Sequence, residues 1–255
     1  MALQSSGTIS LNQVNTELGI NATSAISLGS SNVRSLAGVA SGLIAMNHLY
    51  GKSRYTPGNV TYSVGNYSFT VPAGVNSINY IIVGGGGGGA SSSGAGGGYG
   101  NRYGGGAGGG GGYYSSSVAV SPGQVLTLSV GGGGSGGVTS NLPFGDRSYG
   151  GPGGAGGTTI INGVASVTGG GGGATSWNGS SGSNSWAYGG AGGSPNGGAG
   201  GSVQNTTSPK AQTIGGASYS ASWGKGGNGS IPSNTYNVGA SSGYAGTTGL
   251  VYIYW

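Results

Sequence analysis

Two hydrophobic patterns divide the chain. In residues 1–53 apolar side chains return at helical spacing: Leu11, Val14 and Leu18 at i, i+3 and i+7, then Val33 with Leu36, and Met46 with Leu49. Each group ends in a glycine (Gly19, Gly38, Gly51), where a helix stop calls for positive φ. Ser10 with Gln13 three residues on reads as a capping box. Helices of about two turns are too short to stand alone, and a segment of about fifty residues is marginal as a domain. Their apolar faces are therefore expected to bury against a partner. On that reading Leu11, Val14, Leu18, Val33, Leu36, Met46 and Leu49 form a docking surface.

From Tyr55 the period falls to two. Tyr67, Phe69 and Val71 alternate with Ser68 and Thr70, and Ile78, Tyr80 and Ile82 share one face of 75–83. Further strands are expected at 118–120, 125–130, 158–161, 164–167 and 250–255. Pro122-Gly123 suits a type II turn, and Asn162-Gly163 predicts a type I′ hairpin.

Between the strands lie glycine blocks at 84–89, 94–112, 131–137, 150–157, 169–173, 189–201 and 224–229. They have no apolar side chains to build a core and too much glycine for helix or ordinary strand. Polyproline II geometry, with three residues per turn, remains as an ordered form. Its outward peptide groups can bond from segment to segment. The alternative is a set of flexible linkers, which would cost closure entropy at each block. Collagen is excluded: the chain has eight prolines and no strict triplet. The expected fold class is mostly β and irregular. A short-helical docking segment, 1–53, precedes a strand-framed glycine-rich domain with polyglycine II segments, 54–255.

Composition then narrows the chemistry. Of 255 residues 68 are glycine and 4% are charged, with Glu17 and Asp146 as the acids, His48 as the one histidine and no cysteine. Such a set builds no metal cage or carboxylate cluster and suits a hydrolytic triad poorly. A non-enzyme is expected, with no catalytic residue, metal or cofactor. His48 reads as a surface or packing residue, and Glu17 as a partner for Arg34 or for another chain. The net charge of +5 comes from seven scattered cations with no basic run, so nucleic acid is not expected as a partner. Nor is membrane insertion, since no apolar stretch approaches a membrane span, and Met1 to Ile20 shows no secretion signal.

The stretches joining the blocks, 99–103, 141–149, 177–188, 204–223 and 231–244, concentrate Trp, Tyr, Asn and Ser. Rigid aromatics with adaptable polar neighbours make recognition surfaces. The candidate receptor-binding residues are Arg102, Arg147, Trp177, Trp186, Tyr188, Tyr219 and Trp223. The competing role for the aromatics is to cap the ends of a coreless bundle.

Two resemblances give these features a setting. Residues 9–19 (Ile9-Ser10-Leu11-Asn12-Gln13-Val14 through Leu18-Gly19), Val33-Arg34-Ser35-Leu36-Ala37-Gly38 and Leu49-Tyr50-Gly51-Lys52-Ser53 resemble the N-terminal segment of many tailed-bacteriophage virion proteins. Ala45-Met46-Asn47-His48 departs from the Ser-Met-Ser-Asp more usual there. Tyr67-Ser68-Phe69-Thr70-Val71-Pro72-Ala73-Gly74, Ile81-Ile82-Val83 with its glycine run, and Ser121-Pro122-Gly123-Gln124 are similar to the glycine-rich domain of phage tail-fibre and bacterial surface proteins. Tail-tip adhesins of some T-even-like phages offer an architectural parallel in their polyglycine layers.

The resemblances imply a virion structural protein of the tail or fibre tip that acts outside the cell as a host-receptor-binding adhesin. Residues 1–53 would dock on other phage tail or fibre proteins. The body would meet a host surface glycan or outer-membrane protein, and a homo-oligomer is compatible with that role. A non-binding decoration or spacer is the alternative. A Gly/Tyr-rich nucleic-acid-binding protein would need RGG repeats and basic clusters, which are missing.

Overall fold

A computed structural model describes residues 3–54, 57–72, 74–95, 102–141, 147–175, 185–205, 215–220, 222–230 and 242–255. The N-terminal segment holds α1 (Leu11–Glu17), α2 (Ser31–Ala37) and a 3-10 turn, Met46–Leu49, in place of a third α-helix. Ser10 and Gln13 form both bonds of the capping box. Gly19, Gly38 and Gly51 all take positive φ, as the stops require.

Most of the expected docking residues pack within the segment itself. Val14, Leu18, Val33 and Leu49 are buried with Leu3, Ile9 and Ala37 in a core of the segment's own, and Leu36 and Met46 pack against it. The short helices turn their stripes toward one another, and the segment closes on itself where Leu3 N–H donates to Lys52 O at 2.9 Å. Of the seven residues only Leu11 is exposed, at 39%.

Glu17 does not pair with Arg34. Its buried carboxylate accepts from Ser53 Oγ at 2.9 Å and from the Arg54 N–H at 3.0 Å. The Arg54 guanidinium donates to Leu18 O, whereas that of Arg34 donates to the carbonyls of Gly29 and Gly42. Glu17 thus ties α1 to the connection into the body. Glu17→Ala is expected to cost the N-terminal segment about 1 kcal/mol or more by removing the acceptor of two part-buried hydrogen bonds. Glu17→Gln, which keeps an acceptor, costs less, and chemical denaturation of both variants checks the order.

Among the described residues fourteen strands follow. The first seven are β1 (Asn59–Tyr62), β2 (Gly65–Thr70), β3 (Ser77–Val83), β4 (Ser93–Ala95), β5 (Arg102–Tyr103), β6 (Tyr113–Ala119) and β7 (Val125–Val130). The rest are β8 (Thr139–Asn141), β9 (Arg147–Gly150), β10 (Thr159–Ile161), β11 (Ala165–Val167), β12 (Ser185–Ala187), β13 (Val203–Asn205) and β14 (Leu250–Tyr254).

Two four-stranded antiparallel sheets, ordered β1-β14-β3-β6 and β11-β10-β7-β2, pack face to face. The period-2 pattern decides the inner sides. Ile78, Tyr80, Ile82, Val251 and Ile253 from one sheet meet Phe69, Leu126, Leu128, Val130 and Ile161 from the other. Each such side chain contributes roughly 1.5–3 kcal/mol by leaving water. Tyr62 packs against Tyr67 with 4.8 Å between ring centroids, and burial pushes its phenol above the usual pKa.

The last strand, β14, lies between β1 and β3, and the Trp255 ring packs against Phe69 with centroids 5.5 Å apart and planes tilted by 43°. Gly123 has φ +80 with Gln124 N–H bonded to Ser121 O, as a type II turn requires. The Asn162-Gly163 hairpin forms, but only Gly163 takes positive φ, so the turn is not type I′.

The glycine blocks leave the sandwich as parallel rods. The described ones run over 84–92, 104–112, 131–137, 150–157, 169–174, 188–193, 197–201, 215–217, 224–230 and 243–249. Segment 84–92 shows the rule, which has period three. Gly84, Gly87 and Ala90 N–H donate to Gly112, Gly109 and Gly106 O. Gly85, Gly88 and Ser91 donate to Gly157, Gly154 and Gly151, and Gly86 and Gly89 to Thr247 and Tyr244. Its carbonyls accept in the same rotation from 131–137, 169–174 and 224–230.

Six neighbours therefore ring 84–92. Six also ring 104–112, which donates to 224–230, 169–174 and 197–201 and accepts from 84–92, 188–193 and 215–217. The bonds connect the ten segments as three layers of three, four and three, with every residue of 84–92 and 104–112 buried. This is polyglycine II geometry: three residues per turn send peptide groups out in three directions. A bond to a neighbour offsets the entropy that glycine loses on ordering.

Candidate functional site

In the outer segments one residue in three faces away from the lattice, and it is there that non-glycine residues stand. They include Pro152, Ala155 and Thr158; Tyr188, Ala191 and Ser194; and Asn196, Ala199 and Ser202, all exposed. The lattice itself offers a ligand almost no side chains. Specificity must come from its ends or from the sandwich.

The two ends differ. Next to the sandwich, Gly84 N–H bonds Gly112 O and Gly249 N–H bonds Gly131 O. At the far end Ser91 joins Gly151, and Gly105 joins Ser230. There the small antiparallel sheet β5-β4-β9-β8 and the pair β12-β13 continue from the segments. Arg102 stands opposite Gly94 and Arg147 opposite Ala95, so β5 and β9 flank β4 with one arginine each. Trp186 pairs in register with Gln204. Tyr188 lies where β12 returns to the lattice, is 62% exposed, and accepts from Ala174 N–H through its carbonyl at 2.9 Å.

Tyr219 and Trp223 are elsewhere. Between them and β13 the chain passes back through the lattice as 215–217, where Gly216 N–H bonds Gly108 O. Ser218 Oγ then donates to Gly111 O at 2.6 Å, and the Tyr219 ring lies 6.0 Å from that of Tyr113, the first residue of β6. Trp223 is half-buried and precedes Gly224, whose N–H bonds Thr248 O. These two aromatics therefore sit beside the sandwich, at the opposite end from Tyr188. Gly215-Gly216-Ala217 is too short to register as a block, so 204–223 read as one stretch. Trp177 lies outside the described residues.

Residues 61–255 match the glycine-rich domain as a family. The chain belongs to that family. The match opens inside β1, so the glycine-rich domain takes in both sheets of the sandwich and the whole lattice, and α1 and α2 lie outside it. No curated protein matches the chain. Among the described residues of the domain and its N-terminal segment, no three His, Cys, Asp or Glu side chains gather as a metal site would require. Among the described residues no helix is long and apolar enough to cross a membrane.

The outward residues of the blocks recur at every third position without a strict Gly-X-Y repeat. The spacing-of-three itself, as in Pro152, Ala155 and Thr158, was the available signal.

Proposed function

We propose that the protein is a virion structural protein of a phage tail or fibre tip, and that it attaches to the host surface through the far end of its lattice. One observation carries this reading: a rod of backbone, poor in side chains, carries the strands that hold Arg102, Arg147 and Trp186, and Tyr188 beside them in sequence, to the end remote from the sandwich. The N-terminal segment joins at the other side of the sandwich, where the Arg54 backbone lies beside Gly74 in the β2–β3 connection. That polarity suits a protein held at one end and presented at the other. The resemblance of residues 9–53 to phage virion segments supplies the holding role, with tail or fibre proteins as the partner. A host glycan or outer-membrane protein is the expected receptor.

Attachment of the fluorescently labelled full chain to a broad panel of bacteria tests the proposal. Binding to a subset of strains is expected. Tyr188→Ala and the pair Arg102→Ala with Arg147→Ala should each weaken it about tenfold or more, with an unchanged melting temperature. Tyr219→Ala and Trp223→Ala, at the wrong end, should leave it as it was. Absence of attachment to every strain would favour a passive decoration or spacer, which a stiff lattice would also serve.

A further inference from the structure

The outer face of the sheet β1-β14-β3-β6 has no part in the reading above. Its inner side fills the core, and its outer side faces solvent. Along β14 the outward residues are Tyr252 and Tyr254, whose rings stack with centroids 5.5 Å apart and planes 28° from parallel. Tyr254 is 41% exposed. The register places Thr61 and Ile81 on either side of Tyr252, and Asn59 and Asn79 on either side of Tyr254, with Ser115 next to Ile81 and Ser117 next to Asn79. Toward the lattice the same face carries Tyr113, with Tyr219 packed on it. The four strands contain no Asp, Glu, Lys or Arg. Three interstrand gaps of about 4.8 Å make this platform about 14 Å across.

The geometry points to a binding platform for a neutral polysaccharide on this face. Each tyrosine has an apolar ring and a polar tip, the combination that buries well against a partner that is apolar on one side and wet on the other. A sugar ring is such a partner, with C–H faces for the aromatic surface and hydroxyls around its rim. Asn and Thr side chains beside the rings supply donors and acceptors for those hydroxyls. The absence of charge matches a neutral ligand. An anionic lipid surface or acidic polymer would call for a cluster of Lys and Arg. A second copy of the chain would call for a more apolar centre than Ile81 provides among Asn, Ser and Thr.

Affinity electrophoresis of the full chain tests this in gels containing amylose, dextran or mannan, with alginate as the anionic comparison. Retardation by at least one neutral polymer is expected. The double variant Tyr252→Ser/Tyr254→Ser should weaken it about tenfold or more. Tyr254→Phe keeps the ring and should stay close to the parent. Tyr188→Ala, at the far end of the lattice, should be retarded as the parent is, which separates this platform from the host-attachment reading. Should the double variant melt early, Tyr254→Ser alone gives the same comparison at an exposed position.

The proposal is overturned by an unretarded parent in all three neutral gels, by retardation in alginate alone, or by equal loss in Tyr188→Ala. It is also overturned if sedimentation shows a dimer that Tyr254→Ser dissolves, since the face would then meet a second copy.

Discussion

Gly86→Val and Gly110→Val each lower the melting temperature of the glycine-rich domain by about 10 °C or more. A Cβ at Gly86 would stand 2.0 Å from Lys225 O, and one at Gly110 2.1 Å from Ala217 O, both backbone atoms of a neighbouring segment. Neither neighbour can rotate aside. Lys225 O accepts from Thr247 N–H at 2.8 Å, and Ala217 O from Gly198 N–H at 2.8 Å. Making room shifts a whole segment and forfeits several peptide bonds, each worth about 1 kcal/mol net. Gly132→Ala is the control. The nearest atom to its Cβ is Val64 Cγ2 at 3.6 Å, an ordinary contact. That variant should melt within about 2 °C of the parent, as surface changes do. Differential scanning calorimetry of the three decides the matter. Equal melting temperatures would mean that the blocks do not pack as bonded rods.

Leu49→Ala is expected to unfold the N-terminal segment while the body stays folded. Leu49 is fully buried beside Val14 and Val33 in a core built from few side chains. Truncating a buried leucine costs about 2–5 kcal/mol, which is comparable to all the stability that a segment of this size can hold. The sandwich has a separate core of its own and the lattice its own bonds. Proteolysis should therefore remove residues preceding β1 from the variant and spare the remainder, whereas the parent resists throughout. Resistance equal to the parent would return Leu49 to the role of a docking residue waiting for a partner chain.

The N-terminal elements were legible because their signals are local. Ser10 with Gln13, and Gly19, Gly38 and Gly51 at the stops, act within one turn of chain. The destination of the apolar stripes was not legible. A stripe of Val14 and Leu18 looks the same whether it meets Val33 and Leu49 of its own chain or a partner, because hydrophobic burial is non-directional.

The strands were legible for a similar reason, since alternation at Tyr67–Val71 and 78–82 states which side is dry. Composition also left polyglycine II as the one ordered form for the blocks, with flexible linkers as the alternative that the bonds between segments decide against. Among the candidate site residues, Arg102, Arg147, Trp186 and Tyr188 fall at one end because they stand between long blocks that leave the sandwich and return to it. Tyr219 and Trp223 were grouped with them because a three-residue passage, 215–217, carries no sequence signal of its own length. The second tyrosine surface is not legible in the sequence for a different reason. Tyr252 and Tyr254 announce one face of a strand, but the neighbours that make it a platform arrive from β1, β3 and β6, which are distant in sequence.

By itself, then, the sequence determined where helices stop, which residues alternate, and that the blocks, if ordered, would bond through their backbones. The tertiary structure alone decided the order of the strands, the two six-membered rings of rods around 84–92 and 104–112, and the opposite ends that Tyr188 and Tyr219 occupy. The physical reason is that glycine has no side chain to name its neighbour. A peptide group bonds equally well to any other, so the partner of each rod is chosen by where the flanking strands of the sandwich hold its ends.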